Sequence, residues 1–348
     1  MTNLSTQTHC QPREPNQPGR CIVFDAKGVR LDTFPIAALQ TGQALVQTTC
    51  SCISPGTELR ELGKMVDGSS EHAGKTIVPG YARVGRVIDP GDTELTDNQR
   101  VVIIGTHHTP PHVGQWGGQA DHAICTADQL ISIPDDVDDV QAVLARLAAI
   151  SCHGFNNVTR YDDDRIAVIG LGAIGLFSAR FFASHGYDVI GLDRSATRVD
   201  LAKQWGIEAQ VVTRAIAKHI REHFEKGADI IVDATGVPAV IDDAVDGLHA
   251  PYWNVKLDKH VRYIFQGSYK SDITFNYWPF FQREAKMFFP RDWEPGDLDA
   301  IFQMIQSGKV HFPEFLYSVH DPSDAPAAYQ SLKDPQIAQV TTIFRWHD

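Results

Sequence analysis

The stretch that decides the fold is Arg165-Ile-Ala-Val-Ile-Gly170-Leu-Gly172-Ala-Ile-Gly175. A short apolar run enters a glycine loop, and a helix-like run leaves it. Gly170 permits a tight turn, Gly172 lets a phosphate approach the backbone, and Gly175 lets helix and strand pack closely. The order of these parts predicts a dinucleotide-binding turn, in which unpaired amides at the helix N-terminus face a pyrophosphate.

Asp193 strengthens this interpretation. It ends a second apolar strand, about 20 residues after the loop, where a carboxylate can hold both hydroxyls of a ribose. A negative charge there repels a 2′-phosphate, so NAD is favoured as the cofactor. Arg194 and Arg198 leave NADP open, although on a helix that follows Asp193 they are more often solvated surface charges. The alternative is a glycine-rich turn in some other doubly wound domain.

Length and charge narrow the class of protein. A chain of 348 residues exceeds the size of most single cores and predicts two domains. With 31 Lys and Arg against 43 Asp and Glu, the net charge of −12 argues against a nucleic-acid partner. No apolar run reaches membrane-spanning length, and residues 1–20 are polar with no apolar signal core. We therefore predict a cytoplasmic protein with no membrane partner, in which residues 1–20 form a flexible arm.

Two patterns divide the chain. Residues 21–134 alternate short β-rich runs with Gly and Pro, which predicts an all-β region. An apolar helical pattern from Asp139 to about Val158 then leads into an α/β region. Strands that alternate with helices form a parallel sheet. The strands predicted there lie at 166–169, 188–192, 210–212, 229–233 and 261–265.

The order of these features is similar to that of a known superfamily. The β-rich N-terminal part, the crossing helix, the glycine turn, a strand ending in Asp233-Ala-Thr-Gly236 and a returning tail at 325–346 resemble the medium-chain dehydrogenase/reductase superfamily. The resemblance covers nearly the whole chain beyond residue 20. It implies an α/β fold with a Rossmann doubly wound parallel sheet and a GroES-like β-rich catalytic domain. The implied domains are an arm (1–20), the GroES-like domain (21–155), the Rossmann NAD-binding domain (156–295) and a return to the catalytic domain (296–348).

Three short motifs point to a subgroup. Ile53-Ser-Pro-Gly-Thr-Glu-Leu59, Val78-Pro-Gly-Tyr-Ala-Arg-Val-Gly85 and Ala328-Tyr-Gln-Ser-Leu-Lys-Asp-Pro335 resemble the hydroxyethyl bacteriochlorophyllide dehydrogenase group. Motifs of this length say little about the substrate.

Zinc-ligand positions of the superfamily carry other residues here. Zinc-dependent members have a Cys in a GxCGTD-like segment, a His-Glu pair after Pro-Gly, and often a Glu before the crossing helix. The resemblance places Ser54, Tyr81 with Ala82, and Arg146 there. A hydroxyl, a phenol and a guanidinium cannot replace thiolate, imidazole and carboxylate around Zn²⁺. Residues 100–123 also lack the four cysteines of the structural zinc lobe. We therefore predict a zinc-independent member with no metal ligands.

A histidine-rich loop is the main argument in favour of a metal site. Its histidines are His107, His108, His112 and His122. The first three are spaced as HHxxxH, and Asp121 or Cys125 are conceivable further ligands. Because this spacing matches no familiar metal site, we favour polar substrate contacts or exposure to water.

Without zinc, other side chains must remove the hydroxyl proton of an alcohol and stabilise the incipient alkoxide during hydride transfer. The resemblance places Thr57, Tyr81 and His153 at the cleft, with Ser54 at the lost cysteine. Tyr81 is the predicted catalytic residue. Because a phenol ordinarily has a pKa of about 10, it requires a neighbouring cation to act as a base. The possible neighbours are Arg83 and Arg146. Alternatively, Tyr81 only fills the space of a lost metal site, and His153 is structural.

The remaining cofactor contacts are expected at the carboxyl ends of the parallel strands, where nucleotides bind in doubly wound folds. The predicted cofactor-binding residues are Gly170, Gly172, Ala173, Ile174, Gly175, Asp193, Arg194, Arg198, Thr235, Gly236, Gln266, Gly267 and Ser268. The superfamily resemblance also implies a homodimer formed edge to edge through the Rossmann sheets.

The predicted function is a zinc-independent, NAD-dependent oxidoreductase that interconverts a secondary alcohol and a ketone on a small or cyclic metabolite. Two rivals stay open. One is a zinc-free reductase of activated double bonds or quinones. Such reductases usually bind NADPH, and Asp193 argues against NADPH because its charge would repel the 2′-phosphate. The other is a non-catalytic NAD(H)-binding sensor.

Overall fold

The computed structural model describes residues 17–251, 259–269, 272–334 and 336–347; most of the predicted arm at 1–20 lies outside the described residues. The chain forms two compact units. The first unit comprises Met1–Leu144, Ser318–Lys333 and Thr341–Asp348, and the second unit comprises Ala145–Tyr317 and Asp334–Val340. The domain limits predicted at 155 and 295 stay predictions.

Short strands open the first unit. They are β1 (Gly19–Asp25), β2 (Gly28–Phe34), β3 (Gln43–Cys52), β4 (Ile77–Val78), β5 (Ala82–Asp89), β6 (Arg100–Ile103), β7 (Val113–Gly114), β8 (His122–Thr126) and β9 (Leu130–Ser132). The all-β prediction for 21–134 is wrong at one place, because helix α1 (Pro55–Asp67) interrupts the strands. Pro55 at its first position and Gly68 after its end, with φ +78°, are helix-boundary signals. The sequence pattern alone does not separate such helix boundaries from the Gly and Pro residues that punctuate strands.

Helix α2 (Asp139–Asn157) then carries the chain into the second unit, as predicted. The elements that follow are β10 (Arg165–Ile169), α3 (Ala173–Ser184), β11 (Asp188–Asp193), α4 (Ala196–Gln204), β12 (Glu208–Val211), α5 (Ile216–His223), β13 (Ile230–Asp233), α6 (Ala239–Val245), β14 (Arg262–Phe265), α7 (Tyr277–Gln282), β15 (Lys286–Phe288) and α8 (Pro295–Gln306).

The second unit is built on a parallel sheet with the strand order β12-β11-β10-β13-β14-β15. Ile166, Val168 and Ile231 are fully buried, as expected for strands covered on both faces. The order reverses at β10, so the carboxyl end of β10 lies at the point where such folds bind nucleotides. The predicted Rossmann fold is confirmed.

The chain returns to the first unit through β16 (Tyr317–His320), α9 (Ala325–Ser331) and β17 (Thr341–Arg345). Strand β3 is central in the larger sheet, whose order is β16-β17-β3-β5-β6-β9. On one edge β3 pairs with β5 along its length. On the other edge its first half pairs with β8 and its end pairs with β17. A smaller sheet has the order β2-β1-β4-β7.

Candidate functional site

The glycine turn of the second unit joins β10 to α3. Gly170 has φ +85°, a left-handed conformation that glycine adopts without strain. A Cβ on Gly175 would lie 1.8 Å from the carbonyl oxygen of Gly170, so helix and strand approach too closely there for any side chain. The fold itself therefore requires glycine at these two positions.

Gly172 differs from these two glycines. Its φ of −68° is open to any residue, and a Cβ there would meet no heavy atom within 4 Å. The exposed backbone at the start of α3 thus borders a space that a side chain would fill. Packing within the chain does not account for this glycine. In dinucleotide-binding folds the pyrophosphate binds at a helix N-terminus of this kind.

Asp193 lies at the end of β11, beside this turn. Its half-buried carboxylate accepts hydrogen bonds from Leu171 N (2.6 Å) and Ser195 N (2.8 Å). These bonds fix the carboxylate against the glycine loop, where the sequence predicts a ribose contact.

The two nearby arginines are arranged differently. The Arg198 guanidinium donates to the carbonyl oxygens of Ala338 and Gln339, both at 2.9 Å. Burial lowers the pKa of Arg198, although the Asp193 charge opposes this. Arg194 is exposed. Arg198 is thus held by backbone carbonyls, and Arg194 is the arginine here that points into solvent.

A buried carboxylate organises the next strand end. Asp233 accepts from Thr235 N (2.9 Å), Thr235 Oγ1 (2.6 Å), Tyr263 OH (2.9 Å) and Tyr269 OH (2.7 Å). This network fixes the backbone that leads to Gly236, which has φ +64°. A Cβ on Gly267 would lie 2.4 Å from Gly236 N, so the ends of β13 and β14 are in close contact.

The other predicted cofactor residues lie along the same edge. Gln266 donates to Ile150 O at 3.0 Å, and its Oε1 lies where a Cβ on Gly154 would be. Ala173 and Ile174 form the first turn of α3, and the carbonyl oxygen of Ile174 accepts from Ser151 Oγ at 2.7 Å. Ser268 is exposed.

In the first unit, the structure brings together Ser54 and Tyr81. The phenol O–H of Tyr81 donates to Ser54 Oγ at 2.7 Å. Ser54 precedes helix α1, and Thr57 lies in the first turn of the same helix, with its amide 3.1 Å from Ser54 O. The Tyr81 ring packs edge-on against Trp116, with 5.8 Å between the ring centroids. A phenol and a hydroxyl therefore form a half-buried pair.

His153 lies in the second unit, on α2. Its Nδ1 is 2.8 Å from Oδ2 of the buried Asp297, and Asn156 donates to the other oxygen of that carboxylate at 2.8 Å. His153 also lines a cavity of about 370 Å³, together with Phe289 and Trp293. This histidine is oriented by a carboxylate, an arrangement compatible with either a structural or a proton-transfer role.

The two arginines predicted as possible neighbours of Tyr81 lie in different units. Arg146, in the second unit, lies over the Trp293 ring at 4.3 Å. Arg83 is buried in β5, where burial lowers the pKa of its guanidinium to about 10, opposed by the nearby Cys125 thiol.

Glu58 is a functional candidate that the sequence analysis missed. It is fully buried on α1 and accepts from Ser54 N (2.7 Å), Gln119 Nε2 (3.2 Å) and Tyr329 OH (2.5 Å). Burial raises its pKa to about 7, although these hydrogen bonds oppose the shift. Through Ser54, Glu58 is connected to the Ser54–Tyr81 pair. A glutamate four residues after the Ser54 cap was the available signal.

Glu58 should make stability depend on pH. The ordinary pKa is 4.5 and the folded pKa about 7, so between these values the folded chain keeps a proton that the unfolded chain has released. The free energy of unfolding should therefore fall as pH rises from 4.5 to 7, by about 3 kcal/mol from this group. In urea unfolding from pH 4.5 to 8, Glu58→Gln should remove this slope. The exposed Glu71→Gln should keep it; an equal slope in Glu58→Gln and the unmodified protein would contradict the assignment.

His107, His108 and His112, the HHxxxH part of the histidine loop, do not come together as a group of metal ligands among the described residues. The ring nitrogens of His107 face the carbonyl oxygens of Ile104 (2.8 Å) and Ile124 (3.3 Å), and burial lowers its pKa to about 4. Nδ1 of His108 accepts from Gly114 N, and Nε2 of His112 lies 3.3 Å from Thr33 O. Each of these three imidazoles therefore contacts different backbone groups.

Comparisons with known proteins show which families the chain is similar to. The profile of a family described as zinc-binding dehydrogenase matches residues 173–250. The chain is 25% identical over 333 residues to the 2-desacetyl-2-hydroxyethyl bacteriochlorophyllide A dehydrogenase of Cereibacter sphaeroides, which covers 93% of this chain and 97% of that relative. It is 33% identical over 258 residues to a probable zinc-binding alcohol dehydrogenase of Mycobacterium tuberculosis, covering 66% of this chain and 65% of the relative.

Solved structures share the fold. The 2R,3R-butanediol dehydrogenase of Bacillus subtilis superposes with a TM-score of 0.79 at 16% identity, covering 94% of this chain and 100% of that one. The acetophenone reductase of Geotrichum candidum, solved in complex with NAD, has a TM-score of 0.77 at 18% identity and covers 96% of this chain and 99% of that one. At these identities the likeness establishes the fold: a Rossmann unit with a GroES-like unit.

Proposed function

Because the chain belongs to the medium-chain dehydrogenase/reductase superfamily, we propose that it is an NAD-dependent, zinc-independent oxidoreductase that interconverts a secondary alcohol and a ketone. The substrate would be a small or cyclic metabolite. The observation that carries the proposal is the open space at Gly172, which a Cβ would fill and packing does not explain. A nicotinamide dinucleotide bound there would accept or deliver the hydride.

Tyr81 is proposed to hold the substrate oxygen. Its own O–H is donated to Ser54 Oγ, so toward a substrate hydroxyl the phenol oxygen would act as a hydrogen-bond acceptor. As the carbon gives up its hydride, the substrate proton would move to the Tyr81 oxygen, the phenol proton would move to Ser54 Oγ, and the Ser54 hydroxyl would release its own proton to water. Thr57, in the first turn of α1, is proposed as a further member of this proton path. The partner that the geometry supports directly is Ser54.

The zinc-independent part of the proposal rests on the chemistry of this pair. At the places of thiolate and imidazole ligands, the chain has a hydroxyl and a phenol that are hydrogen-bonded to each other. Neither is a ligand that Zn²⁺ prefers. The residues present at this position therefore do not fit a catalytic zinc ion.

Turnover after chelation tests the proposal. Protein dialysed against a strong chelator should oxidise members of a panel of cyclic polyols, amino alcohols and hydroxyalkyl aromatics with NAD, at the same kcat as untreated protein. Loss of turnover on chelation, restored by Zn²⁺, would contradict zinc independence. Tight NAD(H) binding with no turnover on any alcohol would indicate a non-catalytic sensor instead. NADPH-dependent reduction of quinones would indicate a zinc-free reductase of activated double bonds or quinones.

Cofactor choice follows from Asp193. Because its carboxylate is fixed beside the turn and Arg198 is held by backbone carbonyls, NAD(H) should bind at least about tenfold more tightly than NADP(H), about 1.4 kcal/mol. Asp193→Ser should narrow this gap, since Arg194 is exposed nearby. Calorimetric titration with both cofactors measures the ratio. Equal affinities in the unmodified protein would refute the assignment.

An exposed aromatic surface supports the homodimer. Tyr277, Trp278 and Phe281 on α7 stack on one another and are 64%, 51% and 46% exposed. Strand β15, which follows α7, is an edge strand of the sheet. We propose that two copies associate there, so light scattering should give twice the chain mass of 38.5 kDa. A mass of one chain would refute this proposal.

Within the described residues, no helix is long and apolar enough to cross a membrane. A cytoplasmic location stays a prediction.

A further inference from the structure

Two strand ends converge on the same edge of β3 in the first unit. Strand β8 begins at His122, opposite Gln47, and β17 ends at Arg345, opposite Cys50. Both strands are antiparallel to β3, so their flanking residues approach each other from opposite directions. Thr48 N donates to Asp121 O at 2.7 Å, and Trp346 N donates to Thr49 O at 2.9 Å. The register therefore places Asp121 beside the end of the chain.

Three potential metal ligands meet at this junction. One donor atom each from Asp121, His122 and His347 lies within 4.8 Å of the other two. Asp121 Oδ1 is 2.8 Å from His122 Nδ1, and Asp121 Oδ2 is 3.9 Å from His347 Nε2. The two imidazole rings have their centroids 5.7 Å apart. Among the described residues, this is the one group of three such side chains that comes together.

His122 is the more buried of the two imidazoles. Its side chain is 7% exposed, and its Nδ1 is the ring nitrogen that faces Asp121 Oδ1. An ion shared by His122 and Asp121 would therefore bind at Nδ1 and displace the proton that lies between the two side chains. The other nitrogen, Nε2, is buried without a hydrogen-bond partner among the described residues.

We propose that Asp121, His122 and His347 bind one divalent first-row transition-metal ion, such as Zn²⁺ or Co²⁺. Two imidazoles and a carboxylate are a donor set that suits these ions, and water would complete the coordination. With bonds of about 2.0–2.1 Å, ligand atoms lie about 3.0–3.5 Å apart, so side-chain adjustments of about 1 Å close the site. His347 is 29% exposed and provides access from solvent.

The guanidinium of Arg20 is the main electrostatic obstacle to a cation at this site. Its Nε lies 3.6 Å from Asp121 Oδ2, and its backbone amide donates to Asp121 Oδ1 at 2.8 Å. The side chain is 38% exposed, so the guanidinium can move into water when an ion enters, while the amide keeps the carboxylate in place. This competition limits the affinity, and we expect binding in the micromolar range.

The site is separate from the Ser54–Tyr81 pair. From Gln47, opposite His122, to Cys52, next to that pair, β3 extends over about 16 Å. An ion here would link the end of the chain to β8, residues far apart in sequence. Its expected role is structural, and its binding can be measured without any alcohol oxidation.

Cobalt titration of the full-length, chelator-dialysed, untagged protein tests the site. One Co²⁺ per chain should bind in the micromolar range, with a d–d absorption band typical of imidazole ligation and a rise in melting temperature. His347→Gln should weaken binding at least tenfold and abolish the rise, and because the side chain is 29% exposed the variant should fold as the unmodified protein does. His320→Gln, a half-exposed histidine of the first unit outside the cluster, is the matched control and should bind as the unmodified protein does.

Two results would overturn the proposal. One is the lack of saturable Co²⁺ binding below about 1 mM. The other is equal Co²⁺ affinity in His347→Gln and His320→Gln, which would place any bound ion elsewhere in this histidine-containing chain.

Discussion

Tyr81→Phe is expected to lower kcat about 100-fold or more, with the fold and the NAD affinity intact. Removing only the phenol oxygen conserves the shape of the side chain, so the edge-on contact with Trp116 is kept. What is lost is the hydrogen bond to Ser54 and the proposed contact with the substrate oxygen. A general acid–base group typically contributes 10²–10⁴-fold to the rate.

Steady-state and stability measurements separate catalysis from folding. The lost hydrogen bond to Ser54 should lower the free energy of unfolding by about 1 kcal/mol. Because acid–base groups act on the chemical step, the pH profile of kcat should also lose one titrating limb. A change confined to KM would indicate substrate binding without proton transfer.

Tyr161→Phe is the matched control, since this tyrosine is 39% exposed in the second unit and its change should leave kcat unaltered. Ser54→Ala should lower kcat by a smaller factor, because the phenol keeps its oxygen but loses its partner. If Tyr81→Phe keeps a near-normal kcat while His153→Asn abolishes turnover, the imidazole transfers the proton. Tyr81 then only fills space.

The fold of the second unit was predictable because its signals are local. The buried strand β10, the turn at Gly170 and the helix after it all lie between Arg165 and Ser184. Each of these three features follows from residues within that stretch. Helix α1 was missed because Pro55 and Gly68 are equally common at turns. Strand β15 was missed because it has only three residues, which are half-exposed at the edge of the sheet. A stretch this short shows no recognisable periodicity of apolar residues.

Contacts within the site were predictable only where the two contacting residues are close in sequence. Asp193 and the glycine loop could be paired from their spacing. Two of the three donors to Glu58, namely Gln119 and Tyr329, lie 61 and 271 positions away, so this part of the network exists only in the folded chain. The same holds for His347, which reaches Asp121 because both flank β3. Sequence separation, more than residue type, limited the prediction.

Gly172→Ala is expected to weaken NAD binding at least about 30-fold, about 2 kcal/mol. The added methyl meets no atom of the chain within 4 Å, but it stands where the pyrophosphate is proposed to approach the start of α3. The unfolding free energy should stay within about 1 kcal/mol, because lower chain entropy in the unfolded state offsets a poorer helix cap. Calorimetric titration with NAD and urea unfolding measure the two quantities.

Gly296→Ala is the matched control, because it also points into open space and lies in the same unit; its NAD affinity should be unchanged. Gly175→Ala is the opposite case. Its Cβ would lie 1.8 Å from Gly170 O, so it should lose stability as well as NAD binding. The three variants separate a glycine needed by the fold from a glycine needed by the cofactor. Normal NAD affinity in Gly172→Ala would mean that the open space at this turn is not the cofactor site, whatever the turn resembles.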